Sequence, residues 1–164
     1  MKEKDYYPII KVWLRNLLES YFPNKNVHVF DSSNIYLDKL IQENNWTNYR
    51  SDYATYQIKI DILGVIIDDG KMDFVFIEVK NTKISLKDVS QLLGYSRVAN
   101  PIYSIITSPK WISKPIRILF DTYRRFDLLK YDHNRTIKVC KWDKNKNDID
   151  YNFIYPGKPL FNSS

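Results

Sequence analysis

Two strand-like segments joined by a tight turn constrain this fold more than any other feature of the sequence. Segments 55–67 (TYQIKIDILGVII) and 71–80 (KMDFVFIEVK) are rich in β-branched and aromatic residues, and Asp-Asp-Gly at 68–70 separates them. Asp-Gly flanked by such segments is a strong pattern for a two-residue β-hairpin loop. With residues 69 and 70 as that loop, Asp68 pairs with Lys71, and this pair fixes every other cross-strand pair of the hairpin.

The predicted register brings two acidic side chains together. It places Asp61 directly opposite Glu78, and because side chains alternate along a strand, Lys80 lies on the same face. The other face carries the apolar residues Ile60, Ile62, Val75, Ile77 and Val79. Two carboxylates opposite each other destabilise a strand pair and raise the pKa of one of them.

A divalent cation between these carboxylates would remove the repulsion, because hard ions such as Mg²⁺ bind oxygen ligands. Lys80 would then be a fixed positive charge beside the ion. Phosphodiester hydrolysis needs a metal-activated water and positive charge near the developing negative charge. The three residues therefore predict a metal-dependent phosphodiesterase site. The structural alternative is a solvated ion network on one face of a strand.

The remaining segments predict an α/β domain with a mixed sheet of four to five strands flanked by helices, in the order α-β-β-β-α-β. Around the hairpin, the predicted elements are a helix at 9–22, a strand at 27–30, a helix capped by Ser85, a strand at 102–108, an amphipathic helix at 113–131 and a strand at 136–142. Residues 31–55 are polar, and a short helix within them is left open. The length of 164 residues predicts a single domain, residues 1–164, with a polar tail from about residue 145.

Composition and charge indicate which kind of partner the protein binds and in which compartment it is found. The formal net charge is +6, and residues 110–146 alone hold 11 Lys and Arg against 4 acidic residues. Such a basic excess favours a polyanionic partner. No apolar run reaches the roughly 18 residues that a membrane helix needs, so no membrane partner is expected. The single Cys140 and the lack of a signal-peptide pattern predict a cytoplasmic protein.

These residues together resemble the PD-(D/E)xK nuclease superfamily. Asp61 is followed by Glu78-Val79-Lys80 at the end of an apolar strand, and a helix comes next. That helix carries Gln91 and Tyr95 in the Q-x-x-x-Y spacing of the RecB-like nucleases. The motif core, residues 56–109, is also similar to the N-terminal nuclease domain of type I restriction motor subunits. The proline that the family places before its first Asp is absent here. The resemblance implies a restriction-endonuclease-like core.

The resemblance also implies roles for single residues. Asp61, Glu78 and the backbone carbonyl of Val79 would bind Mg²⁺ or Mn²⁺. Lys80 would orient the attacking water or stabilise the transition state, and Gln91 would lie beside the site. Four further candidates are Tyr95 on the wall of the site, Glu19 near the metal, and Lys83 and Lys87 on the DNA backbone.

The function predicted from these residues is a metal-dependent deoxyribonuclease with low sequence specificity or with recognition of DNA structure. Four alternatives stay open. A junction resolvase, which would act as a homodimer, and an end-processing exonuclease both fit the same residues. A nuclease-fold module that binds DNA without cutting it is the third alternative, and a nuclease directed at RNA is the fourth.

Overall fold

A computed structural model describes residues 1–161 of the chain as a mixed β-sheet flanked by helices. The helices are α1 (Tyr7–Tyr21), α2 (Leu37–Glu43), α3 (Leu86–Ala99) and α4 (Lys114–Arg117). The strands are β1 (Asn26–Asp31), β2 (Ile62–Asp68), β3 (Lys71–Val79), β4 (Tyr103–Ser108), β5 (Lys130–Asp132), β6 (Arg135–Thr136), β7 (Lys138–Asp143) and β8 (Asp148–Tyr155). A short 3-10 helix, Glu3–Tyr6, leads directly into α1.

Six of the strands form the main sheet, in the order β1-β2-β3-β4-β7-β8. The central strands β3, β4 and β7 are parallel to one another, and the outer pairs are antiparallel. Strands β5 and β6 form a separate two-stranded sheet. The predicted α/β class with a mixed sheet is therefore confirmed, although the sheet has one strand more than the four to five predicted. Helix α2 lies between β1 and β2 in the chain.

The β2–β3 hairpin has the predicted register. Asp68 pairs with Lys71, and Ile62 pairs with Ile77 at the other end of the ladder. Asp69 and Gly70 both have positive φ, at 47° and 83°, as a two-residue loop of this kind requires. The register that the turn sets continues without a bulge to Ile62, the first residue of β2.

Two apolar cores cover the two faces of the sheet. One contains α1, with Ile10, Leu14 and Leu18 fully buried, and the other contains α2 and α3. Ile62 and Ile77 belong to the α1 core, as the alternation predicts, but Ile60 packs in the opposite core. The backbone bends at Asp61, ahead of the first residue of β2, so the alternation of side chains does not continue back to Ile60.

The amphipathic helix predicted at 113–131 is wrong over most of its length. Helix α4 is four residues long and continues only as a π-helical turn, Ile118–Thr122. Arg124 then adopts a left-handed backbone conformation, with φ of 53°. The reversal lets Phe120 and Phe126 pack on one ring, Tyr155, with centroid distances of 5.1 and 6.1 Å. These tertiary contacts outweigh the helical spacing of the sequence.

The segment predicted to be a polar tail instead supplies β8 and part of a core. Ile149 and Ile154 are buried on β8, which pairs with β7. Leu160 and Phe161 join the α1 core, where Phe161 stacks on Tyr103 at a centroid distance of 4.0 Å. Residues 150–153, which separate Ile149 from Ile154, are half-buried or exposed. They interrupt the apolar pattern, so the strand could not be recognised in the sequence. Residues 162–164 of that tail lie outside the described part of the chain.

Within residues 1–161, no helix has the length and apolarity needed to cross a bilayer.

Substituting Gly64 tests the close contact between α1 and the sheet. A Cβ atom at Gly64 would lie 2.8 Å from Leu18 Cδ1 and 3.1 Å from Val75 Cβ. Gly64→Ala is therefore expected to lower the free energy of unfolding by about 1–3 kcal/mol, the usual effect of overpacking a core. Urea denaturation measures this change.

Gly94 on α3 provides the matched control. A Cβ atom there meets nothing within 4 Å. Gly94→Ala is expected to raise the free energy of unfolding by about 0.5–1 kcal/mol, because alanine favours the helix. A Gly64→Ala variant as stable as the wild type would contradict the packing described between α1 and β2.

Candidate active site

The predicted site residues meet at the end of the sheet where β3 ends. Asp61 immediately precedes β2, Glu78 is the penultimate residue of β3, and Lys80 follows the strand. The first turn of α1 contacts Asp61 through Tyr7, and the first turn of α3 contacts Lys80 through Asp88. The site therefore lies between the N-terminal ends of two helices.

Asp61 and Glu78 contact each other across the end of the hairpin. The backbone N–H of Asp61 donates to Glu78 Oε1 at 3.3 Å, and the N–H of Val79 donates to Asp61 Oδ2 at 2.9 Å. The two carboxyl groups also share a hydrogen bond. Each side chain is half-buried. The structure thus brings together the two acids that the register predicted to meet.

This contact changes the acidity of Glu78. Burial raises the pKa of Glu78 well above its ordinary value, and the charge and hydrogen bond of Asp61 raise it further. The charge of Lys80 acts in the opposite direction, which places the ammonium group close enough to affect the pair. The side-chain arrangement therefore favours a proton or a cation between the two carboxyl groups.

Lys80 is held between the carboxylate pair and α3. Its backbone N–H donates to the carbonyl of Thr107 on β4 at 2.9 Å. Its Nζ lies 3.9 Å from Asp88 Oδ1, and only 22% of its side chain is exposed. Asp88 is itself fixed, because its Oδ2 accepts from the backbone N–H and the hydroxyl of Ser85, in the predicted cap of α3. The positive charge of Lys80 is thereby restricted in position.

Two residues that the sequence analysis did not identify complete the wall of the site. The hydroxyl of Tyr7 donates to Glu3 Oε1 at 3.3 Å and also hydrogen-bonds Asp61. Burial, together with the charge of Asp61, raises the pKa of Tyr7, so this hydroxyl stays protonated at neutral pH. Glu3 and Tyr7 are spaced as neighbours on one helical turn. Nothing local in the sequence links them to Asp61, because the link is a tertiary contact.

Gln91 and Tyr95 lie on α3 and contact each other. Gln91 Nε2 donates to the hydroxyl of Tyr95 at 2.8 Å. Gln91 is exposed and Tyr95 is half-buried. Among the contacts of residues 1–161, none joins either side chain to Asp61 or Glu78. The predicted pair therefore exists on one flank of α3, and the structure shows it bonded only within the helix.

Glu19 is not brought to the site. It is exposed and lies twelve residues after Tyr7 on α1, which corresponds to about 18 Å along the helix axis. Because the N-terminal end of α1 contacts Asp61, the helix carries Glu19 away from the site. The structure therefore separates Glu19 from the carboxylate pair that it was predicted to accompany.

Lys83 and Lys87 are exposed in the segment that follows Lys80 and in the first turn of α3. No ion pair occupies either ammonium group within the described chain. Both remain close to the site in sequence and available to a ligand.

The oxygen donors present fit a hard divalent ion such as Mg²⁺ or Mn²⁺ better than zinc. Within residues 1–161, no group of three or more His, Cys, Asp and Glu side chains is arranged to hold a metal. Mg²⁺ is commonly held by one or two carboxylates, with water and substrate phosphate completing its shell. Asp61 and Glu78 provide two such carboxylates, and the carbonyl of Val79 is the third predicted donor. A zinc site would need more side-chain ligands.

Comparison with known proteins finds no family model, no curated protein and no solved structure that matches this chain.

The raised pKa of Glu78 predicts how the metal-free protein responds to pH. Below the ordinary Glu pKa of 4.5, Glu78 is protonated in both the folded and the unfolded chain. As the pH rises from that value towards the higher native pKa, the folded chain retains a proton that the unfolded chain has lost, so the free energy of unfolding falls and then levels off above the native pKa. Urea denaturation in EDTA over a series of pH values measures this fall.

Glu78→Gln should flatten that pH dependence, because the amide imitates the protonated carboxyl group. Glu19→Gln, at an exposed position on the same protein, serves as the control and should leave the wild-type dependence unchanged. Identical pH profiles for the wild type and Glu78→Gln would show that Glu78 is not under the repulsion described here.

Proposed function

We propose that this protein is a metal-dependent nuclease that hydrolyses phosphodiester bonds in DNA. The observation that supports the proposal most strongly is the contact between Asp61 and Glu78, with Lys80 held beside them. Carboxylates that repel each other lower stability, and an ion-binding role gives the arrangement a chemical purpose. The positive charge of Lys80 would then lie beside the ion, where the scissile phosphate would bind.

Asp61, Glu78 and the carbonyl of Val79 would hold Mg²⁺ or Mn²⁺. When bound, such an ion supplies a water of lowered pKa and a positive charge against the phosphate. Lys80 orients the attacking water or offsets the negative charge that develops on the phosphate. The hydroxyl of Tyr7, which stays protonated beside Asp61, offers that carboxyl group a hydrogen-bond donor.

The succession of elements around the site supports a restriction-endonuclease-like core. Helix α1 is followed by the three antiparallel strands β1, β2 and β3, then by α3 and the parallel strand β4. Helix α2 is an insertion in this order. Asp61 lies just ahead of β2, and Glu78 and Lys80 lie at the end of β3, as the resemblance to PD-(D/E)xK nucleases implies.

Basic residues near the site favour a nucleic-acid substrate. Lys83 and Lys87 follow the site, and Lys110 and Lys114 lie on or beside the loop whose residues Trp111 and Ser113 bond to Ile84. All four lysines are exposed. Contacts from lysine to phosphate fix the position of DNA without selecting its sequence. This favours low sequence specificity or recognition of DNA structure.

Cleavage of plasmid and oligonucleotide DNA by wild type and Glu78→Gln tests the proposal. Cutting is expected with Mg²⁺ or Mn²⁺ and not with EDTA. Glu78→Gln should reduce the rate at least about 100-fold, because loss of a direct metal ligand exceeds the 10–100-fold effect of losing a residue that only supports a ligand. Glu19→Gln makes the same chemical change at an exposed position of α1 away from the site and should cut at the wild-type rate.

Equal rates for wild type and Glu78→Gln would contradict the assigned site. DNA retention without cutting, across all metals and substrates, would replace the nuclease with a binding module. Linear, nicked, four-way and single-stranded DNA, with RNA in parallel, distinguish an exonuclease from a resolvase and a deoxyribonuclease from a ribonuclease.

A further inference from the structure

Three aromatic rings form a surface next to the candidate site. Trp111 stacks on Tyr155 with a centroid distance of 5.4 Å and an interplanar angle of 10°, and it meets Phe153 edge-on at 5.6 Å. We call Trp111, Phe153 and Tyr155 the aromatic platform. The platform lines a cavity of about 400 Å³ together with Arg117, Asp121, Asn152 and Ile154.

The platform is open to solvent where a ligand can reach it. Phe153 is 40% exposed although it lies within strand β8, and Trp111 is half-buried. The side-chain nitrogen of Lys141 lies 4.8 Å from the centre of the Phe153 ring. An exposed phenyl ring with a cation beside it offers one apolar surface and one positive charge to the same ligand.

The backbone holds Trp111 in an unfavourable conformation. Its φ is 67°, in the left-handed region that bulky residues rarely adopt. Two hydrogen bonds maintain the loop: the N–H of Trp111 donates to the carbonyl of Ser108 at 3.3 Å, and the N–H of Ile84 donates to the carbonyl of Trp111 at 2.9 Å. Strained residues of this kind concentrate at functional sites.

The same loop connects the platform to the candidate site. Ile84, whose backbone bonds to Trp111, is four residues beyond Lys80, and four residues span at most about 14 Å. Ser108, at the start of the loop, also bonds through its hydroxyl to the carbonyl of Thr82 at 2.6 Å. Trp111 therefore lies on a loop that is hydrogen-bonded to the segment following Lys80, and Phe153 and Tyr155 contact Trp111 from β8.

The charges around the platform suit an anionic ligand. Lys141 lies against Phe153, Arg117 lines the cavity, and the guanidinium of Arg124 lies 4.7 Å from the centre of Phe126, which packs on Tyr155. The acid that lines the cavity, Asp121, accepts a hydrogen bond from the hydroxyl of Tyr155. Aromatic rings interspersed with cations bind single-stranded nucleic acid, whose unpaired bases stack on the rings while its phosphates meet the cations.

We propose that the aromatic platform stacks unpaired bases of single-stranded DNA whose backbone continues to the Asp61–Glu78 site. The inference depends on the proposed nuclease function and names its substrate class: single strands, or the single-stranded part of an end or flap. Paired bases of a duplex hide their faces within the helix, so a duplex gains nothing from the platform.

Binding of fluorescein-labelled oligothymidylate, followed by anisotropy in EDTA, tests the inference without any turnover. Phe153→Ala should weaken binding about tenfold, since one base stacked on one aromatic ring contributes about that factor in alanine substitutions. Trp111→Gly should weaken it similarly, and glycine adopts the backbone conformation of residue 111 without strain. Lys141→Gln should reduce the slope of log affinity against log salt by about 0.7, the value for one phosphate contact on a single strand.

Tyr21→Ala provides the matched control, because Tyr21 is 49% exposed and lies at the opposite end of α1 from the site. It should bind single strands like the wild type, and neither Phe153→Ala nor Trp111→Gly should change the affinity for a duplex of equal length. Equal losses on single strands and duplex, or no loss with Phe153→Ala and Trp111→Gly, would overturn the inference. Tighter binding of an RNA strand than of the same DNA strand would overturn the assignment to DNA.

The binding assay also separates this inference from the proposed function. Glu78→Gln in the cleavage assay tests the nuclease, whereas Phe153→Ala in EDTA tests only the platform. Selective loss of single-strand binding in a protein that never cuts would refute the nuclease and leave the platform intact.

Discussion

The repulsion between Asp61 and Glu78 is the interaction on which the rest of the site depends. A short turn and a fully paired ladder place the two carboxylates side by side. Burial removes the water that would otherwise screen their charges from each other. The sequence could relieve the conflict with a single amide, yet both acids are present. The surrounding groups act on this pair: Tyr7 on one side hydrogen-bonds Asp61, and Lys80 on the other partly offsets the charge of Glu78.

The scaffold accounts for the precision of that contact. Both faces of β2 and β3 are covered, by α1 on one side and by α2 and α3 on the other, so neither strand can shift without disrupting a packed core. The close approach at Gly64 brings α1 onto the sheet, and α1 in turn places Tyr7 at the site. On the other side, the capping box of α3 fixes Asp88, which fixes Lys80.

The parts of the site predicted from sequence are those that local rules determine. An Asp-Gly turn sets the hairpin register, and a serine followed by an aspartate three residues later sets the start of α3. The hairpin register was enough to predict that Asp61, Glu78 and Lys80 lie close together. The general α/β class followed from the alternation of strand-like and helix-like segments.

The parts that sequence analysis missed depend on contacts between distant segments. Tyr7 reaches Asp61 only after α1 has packed on the sheet, and Glu19 leaves the site for the same reason. Strand β8 is recognisable only beside β7, because polar residues interrupt its apolar ones. The platform requires a left-handed backbone at Trp111 and a reversal at Arg124, neither of which residue type predicts, since both conformations disfavour bulky side chains.

The central claim is that Asp61 and Glu78 share one bound divalent cation. A crystal of the protein soaked in Mn²⁺ tests it most directly, by anomalous diffraction at the manganese absorption edge. The account predicts a single strong anomalous peak within direct coordination distance, roughly 2.0–2.3 Å, of one carboxylate oxygen from each residue. A map without a peak between these carboxylates, or with manganese bound only elsewhere on the protein, would contradict it.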